Sequence, residues 1–303
     1  MQGASLTPRL TIPVALSAAL LAGACSSETP SHECVGRSSE ALKVCPGAYT
    51  LKGVDVSYYQ GTVDWAKVKA AGNTFAFVRV SDGKNTIDTK FAANWAGTRN
   101  AGLVRGLYQF FRPGQDPIVQ ADVLLTQLAA AGGMRPGDLP PVLDLETVDG
   151  QPTATIVARA KAWLTHVEAA LKIRPIVYTA AFMSDVTGTH FSTYPLWVAN
   201  YGATCPTMPT GWSKWRFWQN ADNGSVPGVA GNVDTNLFDG TLTDLRAMTL
   251  QAPDAGPGDA GAPGPVVFDA GGAFASDASM GQGMGAGKPA SEPPPLPPDP
   301  CAR

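Results

Sequence analysis

The region from 51 to 249 predicts an α/β fold in which eight strands close into a barrel. Short apolar segments alternate there with helical stretches, and this alternation is typical of βα units. After the fifth unit the clear helices disappear and three strand-like segments follow. The region is about 200 residues long, near the lower size of a closed eight-stranded α/β barrel. We therefore expect one barrel domain.

The eight strands are short runs rich in Val, Ile, Leu, Phe, Tyr or Trp. Most of these residues favour the pleated, half-buried surface of a sheet. The five strands of the βα units are predicted at 52–57, 74–81, 106–111, 140–146 and 175–178. The three strands that follow are predicted at 196–200, 215–219 and 232–237.

Four helices separate the first five strands. Asp64, Asp88 and Asp116 each precede one helix, where a carboxylate can accept hydrogen bonds from the free N–H groups of the first turn. The proline after Asp116 suits the first helical position, since that N–H has no partner within the helix. The fourth helix is predicted at 155–171.

The first 25 residues resemble an export signal. Arg9 supplies a positive charge, and 10–22 is a mostly apolar run too short to span a bilayer. The run leads into Ala24-Cys25, which is similar to the site where bacterial lipoproteins are lipidated on the cysteine. We expect an exported lipoprotein of the cell envelope, anchored to a membrane through Cys25, with ordinary secretion as the main alternative.

Residues 26–50 are polar and turn-rich, and we interpret them as a spacer. An even number of cysteines remains in an oxidising compartment once Cys25 is set aside. Cys34 and Cys45 are close in sequence and precede the first strand, so a disulfide between them is the favoured pairing. Cys205 and Cys301 either pair or stay free.

From 250 to 303 the composition changes abruptly to Gly, Pro, Ala, Asp and Ser. Such a segment cannot bury enough apolar surface to offset its conformational entropy. We therefore expect a disordered tail.

Composition and spacing exclude several kinds of partner. The formal net charge is −3, and no cluster of Lys or Arg marks a nucleic-acid surface. Neither the cysteines nor His32, His166 and His190 have a zinc-binding spacing. We expect a monomer that needs no metal or cofactor, binds no nucleic acid and takes an uncharged, hydrogen-bonding ligand.

Two acids in the predicted strand at 140–146 share one face. Side chains alternate along a strand, so Asp144 and Glu146 point the same way, with Cα atoms about 6.6 Å apart. Their repulsion should raise the pKa of one partner. A protonated carboxyl beside an ionised one is what glycoside hydrolysis requires. The alternative is that one acid caps the next helix and the other is solvated.

Alternation in the first and last strands predicts that each of them also places one acid on the face turned away from its apolar side chains. Each lies between apolar or β-branched residues that point the opposite way. If the apolar faces pack beneath helices, the acids point into the barrel lumen. Buried unpaired carboxylates cost several kcal/mol each, so a purely structural cluster is disfavoured. The predicted lumen cluster consists of Asp55, Asp144, Glu146 and Asp234.

Short motifs occur in a fixed order across essentially all of 51–249. They are Gly53-Val54-Asp55-Val56-Ser57, Gly106-Leu107-Tyr108-Gln109-Phe110, Leu143-Asp144-Leu145-Glu146, Val177-Tyr178-Thr179, Leu196-Trp197-Val198-Ala199 and Val233-Asp234-Thr235-Asn236-Leu237. This ordered set resembles glycoside hydrolase family 25, the lysozymes that cleave peptidoglycan glycan strands as N-acetylmuramidases. The resemblance implies an irregular TIM-like barrel of five βα units followed by three strands.

The resemblance also implies roles for individual residues. Glu146 would be the general acid that protonates the glycosidic oxygen, and Asp144 would assist the substrate N-acetyl group or stabilise the developing positive charge. Asp55 and Asp234 would orient the sugar or tune Glu146. Three aromatic residues would line the groove, and three further residues are divided between groove and structural roles. The two sets are Tyr108, Tyr178 and Trp197, and Gln60, Tyr201 and Gln219.

One position departs from the family pattern. Members often carry His after the tyrosine of the third strand, where this chain has Gln109. Alternation places Gln109 on the face opposite Tyr108. We therefore expect the chemistry to be preserved, while fine specificity stays open.

The predicted reaction uses two carboxylates and an oxocarbenium-like transition state. The family suggests retention through an acetamido-assisted intermediate, but the residues themselves leave retention and inversion open. We expect an acidic to neutral pH optimum, because Glu146 must stay protonated beside charged neighbours. The alternatives are a non-catalytic or weakly active glycan-binding lipoprotein and a structural envelope lipoprotein. The target, the producer's own wall or that of other bacteria, stays open.

Overall fold

The computed structural model describes residues 41–252. The predicted signal segment with Cys25, most of the spacer with Cys34, and the tail from 253 with Cys301 lie outside the described residues. Within 41–252, no helix combines the length and the apolar character needed to cross a bilayer.

Nine strands form one sheet, and eight of them close it into a barrel. The strands are β1 (Thr50–Val56), β2 (Asn73–Asp82), β3 (Thr86–Ile87), β4 (Val104–Phe110), β5 (Val142–Asp144), β6 (Ile176–Ala180), β7 (Leu196–Ala199), β8 (Phe217–Gly224) and β9 (Val233–Asp239). The order around the barrel is β1-β9-β8-β7-β6-β5-β4-β2, and β1 pairs with β2 to close it. Neighbouring strands of the barrel are parallel from β1 through β2, β4, β5, β6 and β7 to β8. Strand β9 is antiparallel to both β8 and β1. The two-residue β3 pairs only with β2.

The helices confirm five βα units followed by three strands. They are α1 (Trp65–Ala70), α2 (Phe91–Asn100), α3 (Pro117–Ala130), α4 (Thr153–Leu171), α5 (Ser184–Thr187) and α6 (Leu242–Ala247). The helix of the fifth unit, α5, has only four residues, and α6 follows the last strand.

Two of the three predicted acidic caps are present. Asp64 accepts a hydrogen bond from the Lys67 N–H, and Asp116 accepts two at the start of α3. The prediction for Asp88 was wrong, because α2 begins after Lys90 without a side-chain cap. The Asp88 carboxylate instead joins the loop after β1 to β2, by accepting from the Tyr58 N–H and from Arg79 Nε.

Alternation along the strands separates two apolar layers, as predicted. Val54, Val56 and Leu143 belong to the layer between strands and helices. A second layer fills the lumen, and its members include Phe75, Phe77, Val142, Tyr178, Trp197 and Phe217.

Glycines on the barrel wall make room for the large lumen rings. A Cβ atom added to Gly53 would lie 2.5 Å from the Phe75 ring, and one added to Gly106 would lie 2.3 Å from the Phe77 ring. Phe77 and Trp197 stack with their ring centres 4.4 Å apart. Packing at this density leaves no space for an extra methyl group at either glycine.

The disulfide prediction was wrong: Cys45 is bonded to Cys205, not to Cys34. The segment around Cys45 pairs with the β7–β8 connection, since the Val44 N–H donates to Pro206 O and the Met208 N–H donates to Leu42 O. Tertiary pairing therefore brings together two cysteines separated by 160 residues. Residues 42–45 thus pack on the barrel and are not part of a free spacer.

We expect loss of this disulfide to lower the free energy of unfolding by about 2–5 kcal/mol, because it closes a long loop in the unfolded chain. Urea unfolding of Cys45→Ala/Cys205→Ala beside wild type measures this difference. A non-reduced proteolytic digest should contain a peptide pair that joins Cys45 to Cys205. A digest in which Cys45 is joined to Cys34 would contradict the observed pairing.

Candidate active site

A cavity of about 370 Å³ opens at the carboxyl ends of the parallel strands. This is the face on which α/β barrels carry their active sites, because the strand-to-helix loops converge there. All ten residues that the sequence assigned to catalysis or substrate binding line this cavity: Asp55, Gln60, Tyr108, Asp144, Glu146, Tyr178, Trp197, Tyr201, Gln219 and Asp234.

Asp55 and Asp234 form one coupled acid pair. They are opposite each other in the register of β1 and β9. Asp55 Oδ2 accepts from Gln219 Nε2 (2.9 Å) and Asn236 Nδ2 (2.7 Å), and the same Gln219 nitrogen is 3.2 Å from Asp234 Oδ2. Burial raises the pKa of both acids, and the Asp55 charge helps to raise the pKa of Asp234 to about 9. Asp234 therefore carries a proton at neutral pH and shares it with Asp55.

Asp144 is the last residue of β5 and is only 5% exposed. None of the residues 41–252 forms a hydrogen bond with its Oδ1 atom. Burial raises the pKa of Asp144 well above its usual range, and the charges of Glu146 and Asp55 raise it further. A buried carboxyl without a partner costs free energy unless a ligand supplies one.

Glu146 lies two residues beyond β5 and is half-buried. Burial raises its pKa, while the Tyr178 hydroxyl and the positive charge of Arg112 act in the opposite direction. Both acids of the pair therefore hold a proton more firmly than an isolated carboxyl group does.

Gln219 connects the acids to two tyrosines. Its Nε2 atom donates to the Asp55–Asp234 pair, while its Oε1 atom accepts from Tyr178 Oη (2.7 Å) and Tyr201 Oη (2.8 Å). The side chain is almost fully buried. All of its hydrogen-bonding capacity is directed to other lining residues, so the structure gives Gln219 a positioning role.

Trp197 lies in the floor of the cavity and is 1% exposed. One face stacks on Phe77, and Nε1 donates to Asn236 Oδ1 (2.8 Å). Little of the ring is exposed to the cavity, and stacking of Trp197 on a sugar stays a prediction. Tyr108 and Tyr201 are more accessible, and Tyr201 is 45% exposed at the rim.

Gln60 and Gln109 hold parts of the fold together. Gln60 Oε1 accepts from the Ser57 N–H, and Nε2 is 3.4 Å from Asn232 O, so Gln60 ties the loop after β1 to the start of β9. Gln109 is fully buried outside the lumen, as predicted, where it accepts from Trp163 Nε1 (2.6 Å).

Sequence reasoning missed Arg79, which lines the cavity near the end of β2. Phe75, Phe77 and Arg79 are two residues apart in turn, so alternation places them on the lumen face, and this signal was available. Arg79 is the only Lys or Arg among the lining residues of this cavity. In the described part of the chain, no group of three or more His, Cys, Asp or Glu side chains is arranged to hold a metal ion.

Comparisons with known proteins agree with the fold and with the position of the site. The family model of glycosyl hydrolases family 25 matches residues 54–229. Lysozyme M1 from Streptomyces globisporus is 35% identical over 215 residues, 65% of this chain and 71% of the relative. The N,O-diacetylmuramidase from Chalaropsis sp is 31% identical over 217 residues, 66% of this chain and 99% of the relative.

A solved structure supports the same assignment. The bacterial lysozyme from Streptomyces coelicolor superposes with a TM-score of 0.62 at 33% identity and covers 67% of this chain and 98% of its own. Asp234 lies just beyond the segment that the family model matches, and the pairing of β9 with β1 brings it to the site. The matched segment spans more than half of the chain and includes Asp55, Asp144 and Glu146. The resemblance seen in the sequence is therefore confirmed, and the chain belongs to glycosyl hydrolases family 25.

Proposed function

We propose that this protein is a lysozyme-type N-acetylmuramidase, which hydrolyses the β-1,4 bond between N-acetylmuramic acid and N-acetylglucosamine in peptidoglycan. The observation that carries the proposal is the Asp144–Glu146 pair, with raised pKa values, at the end of a barrel strand in a family 25 chain. Lysozyme M1 and the N,O-diacetylmuramidase, both similar to this chain, have names that point to the same activity.

Glu146 acts as the general acid in this proposal. It is the more accessible acid of the pair, so a glycosidic oxygen can reach it from the open side of the cavity. Its raised pKa means that Glu146 stays protonated to higher pH than an ordinary glutamate, as a general acid must. Proton transfer to the leaving oxygen then produces an oxocarbenium-like transition state next to the acid cluster.

Asp144 assists the substrate acetamido group. Its unpartnered Oδ1 atom can accept a hydrogen bond from the acetamido N–H, which favours the ionised form. The sugar at the same time excludes water from Glu146 and raises its pKa further. Substrate binding therefore favours the ionised form of Asp144 and the protonated form of Glu146, and acetamido assistance would give retention of configuration.

The Asp55–Asp234 pair supplies a negative charge to the same site. One shared proton leaves a net charge of about −1 on the two carboxyl groups at neutral pH. Gln219 and Asn236 hold this charge in place from below. A fixed negative charge in a partly buried cavity stabilises the positive charge that develops on the sugar.

The setting of the reaction follows from the same proposal. A peptidoglycan hydrolase acts outside the cytoplasm, so we infer export. Lipidation of Cys25 with membrane anchoring, or release of a secreted monomer, are the two alternatives that the sequence leaves. Mass determination of the mature protein in membrane and medium fractions distinguishes them.

Glu146→Gln should lower kcat about 10²- to 10⁴-fold, because the amide cannot donate the catalytic proton. The measurement is release of fragments with reducing N-acetylmuramic acid ends from purified sacculi by the full chain. Asp122→Asn is the matched control: Asp122 is a carboxylate of α3 that bonds His166 on the surface, so activity should persist. Sacculus binding without release by wild type would instead favour the glycan-binding alternative.

The pH profiles test the proposed movement of the proton. The profile of kcat/KM reports the free enzyme and that of kcat reports the complex. We expect the alkaline limb of kcat at higher pH than that of kcat/KM, because Glu146 holds its proton more firmly once covered and next to ionised Asp144. Alkaline limbs at the same pH would contradict this step.

Asp234→Asn should make stability depend less on pH. The folded-state pKa of Asp234 lies above its unfolded value, so the wild-type free energy of unfolding falls as pH rises from about 4 towards 9. The amide imitates the protonated acid and removes this loss. Urea unfolding across this range should show an advantage for the variant that grows with pH. The exposed control Asp185→Asn should show no such trend.

A further inference from the structure

Arg79 is a buried cation without a role in the proposed proton transfer and charge stabilisation. It follows Phe75 and Phe77 on the lumen face of β2 and is 8% exposed. It lines the same cavity as Asp144 and Glu146. Burying a guanidinium costs several kcal/mol unless its partners compensate, so the position calls for an explanation.

The surroundings of Arg79 fix the guanidinium in place. Nε donates to Asp88 Oδ2 (3.1 Å), and Asp88 is itself buried and held by the N–H groups of Tyr58 and Lys90. The rings of Tyr58 and Tyr59 lie 4.9 and 5.4 Å from Arg79 Cζ. Among residues 41–252, the fully formed hydrogen bond that Arg79 donates uses Nε, and the Tyr58 side chain also interacts with the guanidinium. The terminal nitrogens therefore keep donor capacity for a ligand.

The charge distribution restricts what that ligand can be. Apart from Arg79, the charged residues that line the cavity are acids, so a ligand group with negative charge is tolerated only beside Arg79. The sugar rings and acetamido groups of a glycan strand are neutral. The 3-O-lactyl group of muramic acid is the exception, since it ends in a carboxylate or, where a stem peptide is attached, in an amide carbonyl. A guanidinium fork suits both oxygen groups.

We propose that Arg79 binds the 3-O-lactyl group of the muramic acid residue and thereby selects muramic acid over N-acetylglucosamine. The inference rests on the proposed function, because it names the part of the proposed substrate that Arg79 recognises. Asp88 is the positioning residue that orients the guanidinium. A role confined to adjusting Asp144 would affect all ligands equally, whereas recognition of the lactyl group affects only ligands that carry it.

The test compares two soluble ligands that differ in this one group. The disaccharide N-acetylglucosaminyl-β-1,4-N-acetylmuramic acid carries a free lactyl carboxylate, and N,N′-diacetylchitobiose lacks it. Dissociation constants are measured by NMR titration of the full chain, as wild type, Arg79→Gln, Arg79→Lys and the control Arg174→Gln. Arg174 bonds Thr193 Oγ1 and does not line the cavity.

Wild type and Arg174→Gln should bind the muramic disaccharide more tightly. The selectivity is the dissociation constant of the disaccharide without the lactyl group divided by that of the muramic disaccharide. Arg79→Gln should lower this ratio about tenfold or more, because the charge-assisted fork is lost, and Arg79→Lys should retain part of the selectivity, because a charge remains without the fork. The ratio comes from one preparation, so a smaller folded fraction cancels. An unchanged ratio in Arg79→Gln, or equal binding of both ligands by wild type, would overturn the inference. Failure of wild type to cleave sacculi would instead overturn the proposed function.

Discussion

The confinement of four carboxyl groups to one end of a closed barrel is the constraint on which the rest of this structure depends. Like charges in a low-dielectric cavity repel, and burial penalises each ionised form. Shared protons reduce this repulsion, and two amide donors, from Gln219 and Asn236, stabilise one carboxylate oxygen, Asp55 Oδ2. The resulting pKa shifts favour protonated acids at the positions where the proposed catalysis needs a proton.

Support for this cluster comes from elements that are distant in sequence. Gln219 on β8 and Asn236 on β9 hold Asp55 on β1, so closure of the barrel between its first and last strands is also assembly of the site. Phe77 and Trp197 fill the lumen beneath, and Trp197 bonds Asn236. The aromatic floor thus positions the polar layer above it, and damage to either layer should affect the other.

A single cation, Arg79, lies among the acids of the cavity lining, on the strand next to that of Asp55, and its own partner, Asp88, lies outside the lining. This arrangement gives an acidic cavity one position with positive charge. Such a lining suits a substrate that develops positive charge at its reacting carbon and carries a negative or carbonyl group elsewhere on the same ring. Specificity and catalysis would then use neighbouring positions of one cavity.

The sequence by itself determined the strand alternation, and with it most of the site. A period of two assigns each side chain to the lumen or to the helix-facing layer, so Asp55, Asp144 and Asp234 could be placed, together with Gln109 on the other side. The ordered motifs added the family. Local patterns also gave five βα units and three strands, because short apolar runs and turn residues act over a few neighbours.

Tertiary structure decided those distant contacts that neither alternation nor the motifs predict. The Cys45–Cys205 disulfide joins segments 160 residues apart, and no local spacing could favour it over Cys34. Asp88 precedes α2 as a cap would, but its carboxylate bonds Arg79 and the N–H groups of Tyr58 and Lys90, and the first turn of α2 has no side-chain cap. Trp197 lines the cavity, as its strand position predicts, but its stacking on Phe77 was not predicted. Pairing across the barrel depends on closure of the sheet, which a linear pattern does not encode.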